Sequence, residues 1–277
     1  NPLNGSYAGN FAPSGSGGLD VPASSLISPD GYVYVASFSS NSVIRYDAGS
    51  GSSLGAFVDA ADGVSGPLGI ALDTSGNLYV ANGNSGAIKK YDGAGVLQST
   101  LYTYPAGQLP RGMTLGTDGN LYVIVNTFTP GVGGRIDKIS LPAGTRTTFL
   151  TMDADSMPAQ GILWGPDGNL YVNDYLENEV QVYSATGSVV RSISTGLDGP
   201  CGIAIVPCLE SDFGDLRTPF ATTFAANGAR HYMANSLRMG VRVDKEADGQ
   251  PTSGADGDDS DSDGDDEDGV TFDVLTI

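Results

Sequence analysis

The stretch Asp118-Gly-Asn-Leu-Tyr-Val-Ile124 decides the fold, because close copies of it recur along the chain. The copies are Asp30-Gly-Tyr-Val-Tyr-Val-Ala36, Ser75-Gly-Asn-Leu-Tyr-Val-Ala81 and Asp167-Gly-Asn-Leu-Tyr-Val-Asn173. Asp-Gly and Gly-Asn provide the positive φ that a tight hairpin turn needs, and Leu-Tyr-Val favours a strand. Each copy therefore predicts a turn followed by a β-strand.

The copies are spaced by roughly 43 to 49 residues, a period typical of propeller blades. Strand-like segments flank each copy, so the sequence predicts an all-β protein: a β-propeller of four complete blades plus a partial fifth. The fifth blade begins with a predicted first strand at Gly199–Val206, and Gly5–Phe11 is predicted as a lone outer strand. Three ways of completing the ring remain open. The C-terminal residues supply the missing strands, the propeller is shortened, or a neighbouring subunit supplies a strand and builds an oligomer or filament.

One unit resembles the NHL repeat of β-propellers through Gly69-Ile-Ala-Leu-Asp73 followed by Gly76-Asn-Leu-Tyr-Val-Ala81. The resemblance extends over roughly residues 20–207, and the propeller domain is predicted to span residues 1–207. Members of this family often carry Asp after the Tyr-Val-Ala strand, and here only Asp174 keeps it.

The formal net charge is −19, and residues 244–268 hold most of the excess acid. Residues 208–277 are therefore predicted as a second domain, a small acidic β-rich module. Its motifs Asp212-Phe-Gly-Asp215 and Gly264-Asp-Asp-Glu-Asp-Gly-Val-Thr-Phe272 resemble the GEVED domain of bacterial secreted and surface proteins. That resemblance implies an extracellular, cell-surface location and a structural or adhesive role. The strand-like end at Ile277 has no turn after it, so we expect further chain to follow.

The acidic module is predicted to bind Ca²⁺, because Asp259, Asp261 and Asp263 precede Gly264 in the spacing of a calcium loop. The candidate metal ligands are Asp244, Glu246, Asp248, Asp256, Asp258, Asp259, Asp261, Asp263, Asp265, Glu267 and Asp268. A solvated acidic tail is the alternative.

Catalytic candidates are few. The single histidine, His231, lies outside the predicted propeller, which excludes a Ser-His-Asp triad or a multi-histidine metal site within it. Some relatives in the wider set of propellers that the repeats resemble, such as gluconolactonase-like and streptogramin-lyase-like enzymes, are metal-dependent and need polar side chains that converge on the channel. The candidates here are Asn82, Asn126, Asn173, Asp174 and Glu177.

The same five residues can instead cap strand ends. Arg111, beside Pro110, either lines the channel mouth or is a rim charge, and Trp164 is predicted to pack between blades. Because histidines and acidic residues are scarce in the predicted blades, we predict that the protein is not an enzyme. Cys201 and Cys208 can form a disulfide only if the chain folds back between them, and both alternatives, bridged or buried, stay open.

The predicted function is an extracellular bacterial structural or adhesive protein that self-associates by strand complementation and is stabilised by calcium. The alternatives are a secreted metal-dependent propeller lactonase or lyase, and a propeller that binds a surface polysaccharide or protein. The acidic composition argues against a nucleic-acid partner. No apolar run reaches about 18 residues, so no membrane span is predicted.

Overall fold

The computed structural model describes residues 9–127, 133–153 and 158–204, and it describes only the backbone of 158–160, 211–212 and 231–232. The chain divides into two compact units, Asn1–Ile205 and Val206–Ile277. In the second unit the described residues form one short antiparallel pair, β17 (Ser211–Asp212) with β18 (His231–Tyr232). The acidic module and its predicted calcium ligands lie outside the described residues.

The first unit contains four antiparallel sheets of four strands, as the repeats predict. The first sheet comprises β1 (Pro22–Ile27), β2 (Tyr32–Ser37), β3 (Ser42–Asp47) and β4 (Ser53–Val58). The second comprises β5 (Pro67–Leu72), β6 (Leu78–Asn82), β7 (Ala87–Tyr91) and β8 (Leu97–Thr103). The third comprises β9 (Gln108–Leu115), β10 (Leu121–Thr127), β11 (Arg135–Ile139) and β12 (Arg146–Thr151). The fourth comprises β13 (Pro158–Trp164), β14 (Leu170–Asp174), β15 (Glu179–Tyr183) and β16 (Val189–Ile193).

The sheets are the blades of a β-propeller, because apolar cores fill the spaces between successive sheets. The tyrosine of each second strand packs toward the following blade: Tyr34 lies in the core between blades 1 and 2, Tyr79 between 2 and 3, and Tyr122 between 3 and 4. Trp164 contacts Tyr122 with their ring centroids 5.0 Å apart. The prediction that Trp164 packs between blades is therefore confirmed.

After β16 the chain continues to the place where the first strand of a fifth blade would begin. We call residues 199–204 the fifth position. At the joint between blades 1 and 2, the backbone N–H of Gly66 donates to Asn41 Oδ1 at 2.8 Å. At the end of blade 4, the N–H of Gly199 donates to Asn178 Oδ1 at 2.7 Å, and both asparagines have a positive φ. The joint after blade 4 therefore repeats the joint after blade 1. No strand is assigned in the described part of the predicted fifth strand, residues 199–204.

The N-terminal segment repeats the connection that leads from one blade into the next. A 3-10 helix, Ser16–Gly18, precedes β1, and a second one, Ala60–Asp62, precedes β5. Tyr46 on β3 donates its hydroxyl to Ser16 O at 2.8 Å, and Tyr91 on β7 donates to Asp62 O at 3.3 Å. Residues 9–19 therefore occupy the same place relative to blade 1 that the end of β4 and the segment after it occupy relative to blade 2.

Phe11 extends this correspondence to the outer strand. A Cβ on Gly51 would collide with the carbonyl of Phe11, just as a Cβ on Gly95 would lie 2.7 Å from the carbonyl of Phe57 in β4. Phe11 thus takes the place of an outer-strand residue of a preceding blade, in line with the predicted outer strand at Gly5–Phe11. No strand is assigned to its described residues, 9–11.

Candidate functional site at the end of the channel

A cavity of about 1030 Å³ lies between the first strands of the blades and extends beside blade 1 to Phe11, Val33, Val35 and Ala48. Its described lining reaches from Pro22 and Cys201 at one end to Pro29 and Thr74 at the other. Clefts of this size are the usual position of ligand sites in proteins. The channel is therefore the candidate location of a functional site in the first unit.

Each first strand has a register shift just after its first proline. In the pairing of β5 with β6 the shift lies between Pro67 and Gly69, and in β9 the residues Arg111 and Gly112 lie between the paired Pro110 and Met113. A β-bulge adds a residue to one strand and changes the direction of its side chain. In blades 1 to 3, where the side chains at the shift are described, the bulges therefore occur at the same end of the first strands.

The bulge position holds a different side chain in each blade. It is Ala23 in blade 1, Leu68 in blade 2 and Arg111 in blade 3, and Cys201 follows Pro200 in the same way at the fifth position. Arg111 lies close enough to the exposed thiol of Cys201 for the two to interact electrostatically. The sequence Pro-x-Gly is shared by the positions of Leu68, Arg111 and Cys201, whereas Ala23 is followed by Ser24, and sequence reasoning missed this partial signal.

Arg111 is the unusual member of the ring. It is half-buried, its Nε is buried without a hydrogen-bond partner, and it is in none of the salt bridges seen in the described part of the chain. Desolvation by burial lowers the pKa of Arg111, although Cys201 opposes the shift. A guanidinium stays charged even so, and a partly desolvated cation without a carboxylate attracts an anion. Perturbed groups of this kind cluster at functional sites.

The polar residues that the sequence singled out mostly have structural roles. Asn82 is fully buried; its Oδ1 accepts from Ser65 N at 2.7 Å and its Nδ2 donates to Ala87 O at 3.2 Å. Asp174 is fully buried too, and its Oδ1 accepts from the N–H groups of Leu176 and Glu177. These contacts tie loops to the ends of the second strands, as the capping alternative predicted.

The remaining candidates do not form a common centre either. The Nδ2 group of Asn173 donates a hydrogen bond to Gly202 O at 2.9 Å, which connects β14 to the fifth position. Asn126 is buried and Glu177 is exposed. Arg111, which the sequence left between channel mouth and rim, interacts electrostatically with Cys201 of the channel lining and is not itself among the residues that line the cavity. Cys201 carries a free thiol, and Cys208 lies outside the described residues.

A metal ion does not fit the described residues of the channel. Among them no three His, Cys, Asp or Glu side chains come together as a metal site would require. The buried Asn173 Oδ1, which accepts no hydrogen bond from the described part of the chain, falls far short of the six to eight oxygen ligands that Ca²⁺ takes.

Solved structures with the same fold include several enzymes. A streptogramin B lyase has a TM-score of 0.55 at 22% identity over 71% of this chain and 62% of its own. A putative gluconolactonase has a TM-score of 0.56 at 16% identity over 73% and 72%, and a gluconolactonase from Xanthomonas campestris has 0.53 at 15% over 68% and 67%. This chain spans less than two thirds of the length of the lyase.

These similarities confirm the β-propeller and correct one prediction. The expectation that the protein is not an enzyme is contradicted, because solved structures that share the fold include a lyase and a gluconolactonase. No family model and no curated protein matches the chain, so the GEVED resemblance is not supported. Identities below 25% establish the fold alone. Among the described residues, no helix has the length and apolar character needed to cross a membrane.

Proposed function

We propose that this protein is a propeller enzyme that opens a lactone or similar cyclic ester at the Arg111 end of the channel. The observation that carries the proposal is the half-buried Arg111 guanidinium, which lacks a carboxylate partner among the described residues. The streptogramin B lyase and the gluconolactonases with the same fold support this class of substrate. Calcium binding, self-association and an extracellular location stay predictions from the sequence.

Arg111 suits this reaction because charge develops on the ester oxygen. Addition of water breaks the acyl C–O bond and gives a carboxylate, a hydroxyl group and one proton released to solvent. Loss of a β-proton to solvent breaks the alkyl C–O bond instead and gives a carboxylate and a carbon–carbon double bond. A preorganised cation in a site with little water stabilises an oxyanion far better than the same cation in bulk water. The bulge in β9 fixes the direction of the Arg111 side chain, so little reorganisation is needed.

The test is acid release from a panel of lactones, measured in a pH-stat. The wild type should open at least one lactone class, and Arg111→Gln should lower kcat/KM by about 100-fold or more, the effect typical of losing one oxyanion donor. Arg111→Lys keeps the charge and should recover part of the loss.

Arg45→Gln is the matched control. Arg45 is also half-buried with a buried Nε, but it lies over the ring of Tyr32, 4.7 Å from the centroid, and away from the channel. Its variant should keep the wild-type kcat/KM. A wild type that opens no lactone, or equal rates for Arg111→Gln and wild type, would overturn the proposal.

A further inference from the structure

The middle of the channel has an apolar wall. The first strands contribute Ile70, Leu72, Met113, Leu115, Ile162 and Leu163, and the fifth position contributes Ile203. Leu72, Leu115, Leu163 and Ile203 are only partly buried, so their side chains keep exposed area. We call this region between the Arg111 end and the hairpin turns the shaft. A ligand that fills the shaft gains free energy in proportion to the apolar area it removes from water.

The polar groups of the shaft are few and weak. Asp73 is the one charged residue among its described lining residues. Its Oδ1 accepts from Asn77 N at 2.9 Å and its Oδ2 from Tyr79 Oη at 2.9 Å, so both oxygens are engaged. Burial by itself raises the pKa of Asp73, but these hydrogen bonds outweigh it and lower the pKa. Asp73 therefore stays ionised and bound to its own turn.

What remains for a ligand is a set of hydroxyls and a thiol, on Ser24, Ser25, Thr74, Thr114 and Cys201. The described lining contains no Lys, Arg, His, Asn or Gln. A polyhydroxylated ligand would bury many hydroxyls against this wall without partners, and each unpaired polar group would weaken binding. An anion would find no cation along the shaft.

We propose that the part of the substrate that occupies the shaft is uncharged and mainly apolar, such as an alkyl or aromatic group attached to the lactone ring. This inference names the substrate class of the proposed function and rests on it for the position of the reacting ester, with the ester at Arg111 and the apolar group along the shaft. A polyhydroxylated sugar lactone is thereby disfavoured. Each additional buried methylene should raise affinity about fourfold until the shaft is filled.

The first experiment measures binding alone, with the uncharged fluorescent probe N-phenyl-1-naphthylamine and the full-length protein. The probe should bind saturably, with a Kd on the order of micromolar. Thr114→Asp puts a carboxylate into the shaft and should weaken binding by about tenfold or more. Thr114 is half-buried and its hydroxyl makes only a 3.5 Å contact with Leu115 O, so Thr114→Val should keep the wild-type affinity.

Two controls separate the shaft from other effects. Ser99→Asp adds the same charge on the exposed outer strand β8 and should leave probe binding unchanged. Arg111→Gln should also bind the probe like the wild type, because the shaft does not depend on the guanidinium. If the wild type opens no lactone but the probe titrations behave as described, the proposed reaction fails and the apolar shaft stands.

The second experiment is competition against the bound probe. A lactone with a medium-length alkyl chain should displace the probe, and a sugar lactone should not do so at the same concentration. The proposal is overturned if the probe does not bind saturably, if Thr114→Asp binds it like the wild type, or if the sugar lactone competes as well as the alkyl lactone.

Discussion

At the scale of single residues, a contact between an aspartate and a tyrosine fixes the hairpin turns of three blades. Asp73 accepts from the Tyr79 hydroxyl at 2.9 Å, Asp118 from Tyr122 at 3.1 Å and Asp167 from Tyr171 at 2.8 Å. Asp73 precedes its tyrosine by six residues, whereas the other two aspartates precede theirs by four. The same contact is thus made from two positions of the turn.

Asp118 gives a pH-dependent prediction. Partial burial by itself raises its pKa, but hydrogen bonds from Lys138, Asn120 and Tyr122 outweigh it and hold the pKa of Asp118 well below its ordinary value. A carboxylate with a lowered pKa stabilises the fold above its unfolded pKa of about 4, and the contribution is lost as the pH falls through the folded value. Asp118→Asn should therefore be less stable than the wild type at neutral pH, and the difference should shrink below about pH 4.

The measurement is urea unfolding at several pH values. Asp118 is 38% exposed in its ion pair with Lys138, so solvent screening limits the expected loss to about 1 kcal/mol or less. Asp30→Asn, an exposed aspartate in the turn of blade 1, is the control and should show a smaller change. A loss for Asp118→Asn that grows in acid would contradict the assigned contacts.

At the scale of strands, blade 3 is held by a buried carboxylate between two cations. Asp137 on β11 is fully buried and accepts from Arg135 Nε and Arg146 Nη1, each at 3.0 Å. Arg135 also donates to Gln108 Oε1 at 2.6 Å. The cluster therefore connects β9, β11 and β12 at one end of the blade.

Asp137→Asn should destabilise the protein by about 3 kcal/mol, because it leaves two partly buried cations without their counter-charge. The measurement is the guanidinium chloride unfolding curve. A triple variant in which Arg135, Asp137 and Arg146 all become apolar should recover much of the loss, since removing a whole buried ion cluster is often nearly neutral. If Asp137→Asn unfolds at the wild-type midpoint, the cluster does not stabilise the blade.

The strands were predictable because their signals are local. The four repeated copies set turn and strand within seven residues, and each one leads into an observed second strand, β2, β6, β10 or β14. The bulge at Arg111 and the bond from Gly66 to Asn41 depend on residues about 10 to 25 positions apart, so the turn-and-strand copies by themselves do not reveal them. That is why the sequence named strand-end residues such as Asn82 as candidates and left Arg111 open.

At the scale of the first unit, the segment after blade 4 corresponds to the start of one more blade, and the N-terminal segment corresponds to the end of such a blade. Residues 199–204 follow the joint that begins a blade, and Phe11 takes the place of an outer strand before blade 1. Between them, the face of blade 1 formed by Val33, Ile44 and Tyr46 packs against Ala12 and Leu19. The N-terminal segment thus covers one face of blade 1. In blades 2 to 4 the preceding blade covers the equivalent face.

Deleting residues 1–19 should therefore destabilise the propeller by several kcal/mol, because fully exposing one large apolar side chain costs roughly 1.5–3 kcal/mol. A milder variant tests the same idea. Tyr46→Phe removes the hydrogen bond to Ser16 O and should cost about 1 kcal/mol in the full-length protein, and nothing more once residues 1–19 are gone. Tyr91→Phe, the equivalent change in blade 2, should cost a similar amount in both backgrounds. Urea unfolding of the five variants measures this, and an additive effect of Tyr46→Phe in the deletion would mean that the segment does not cover blade 1.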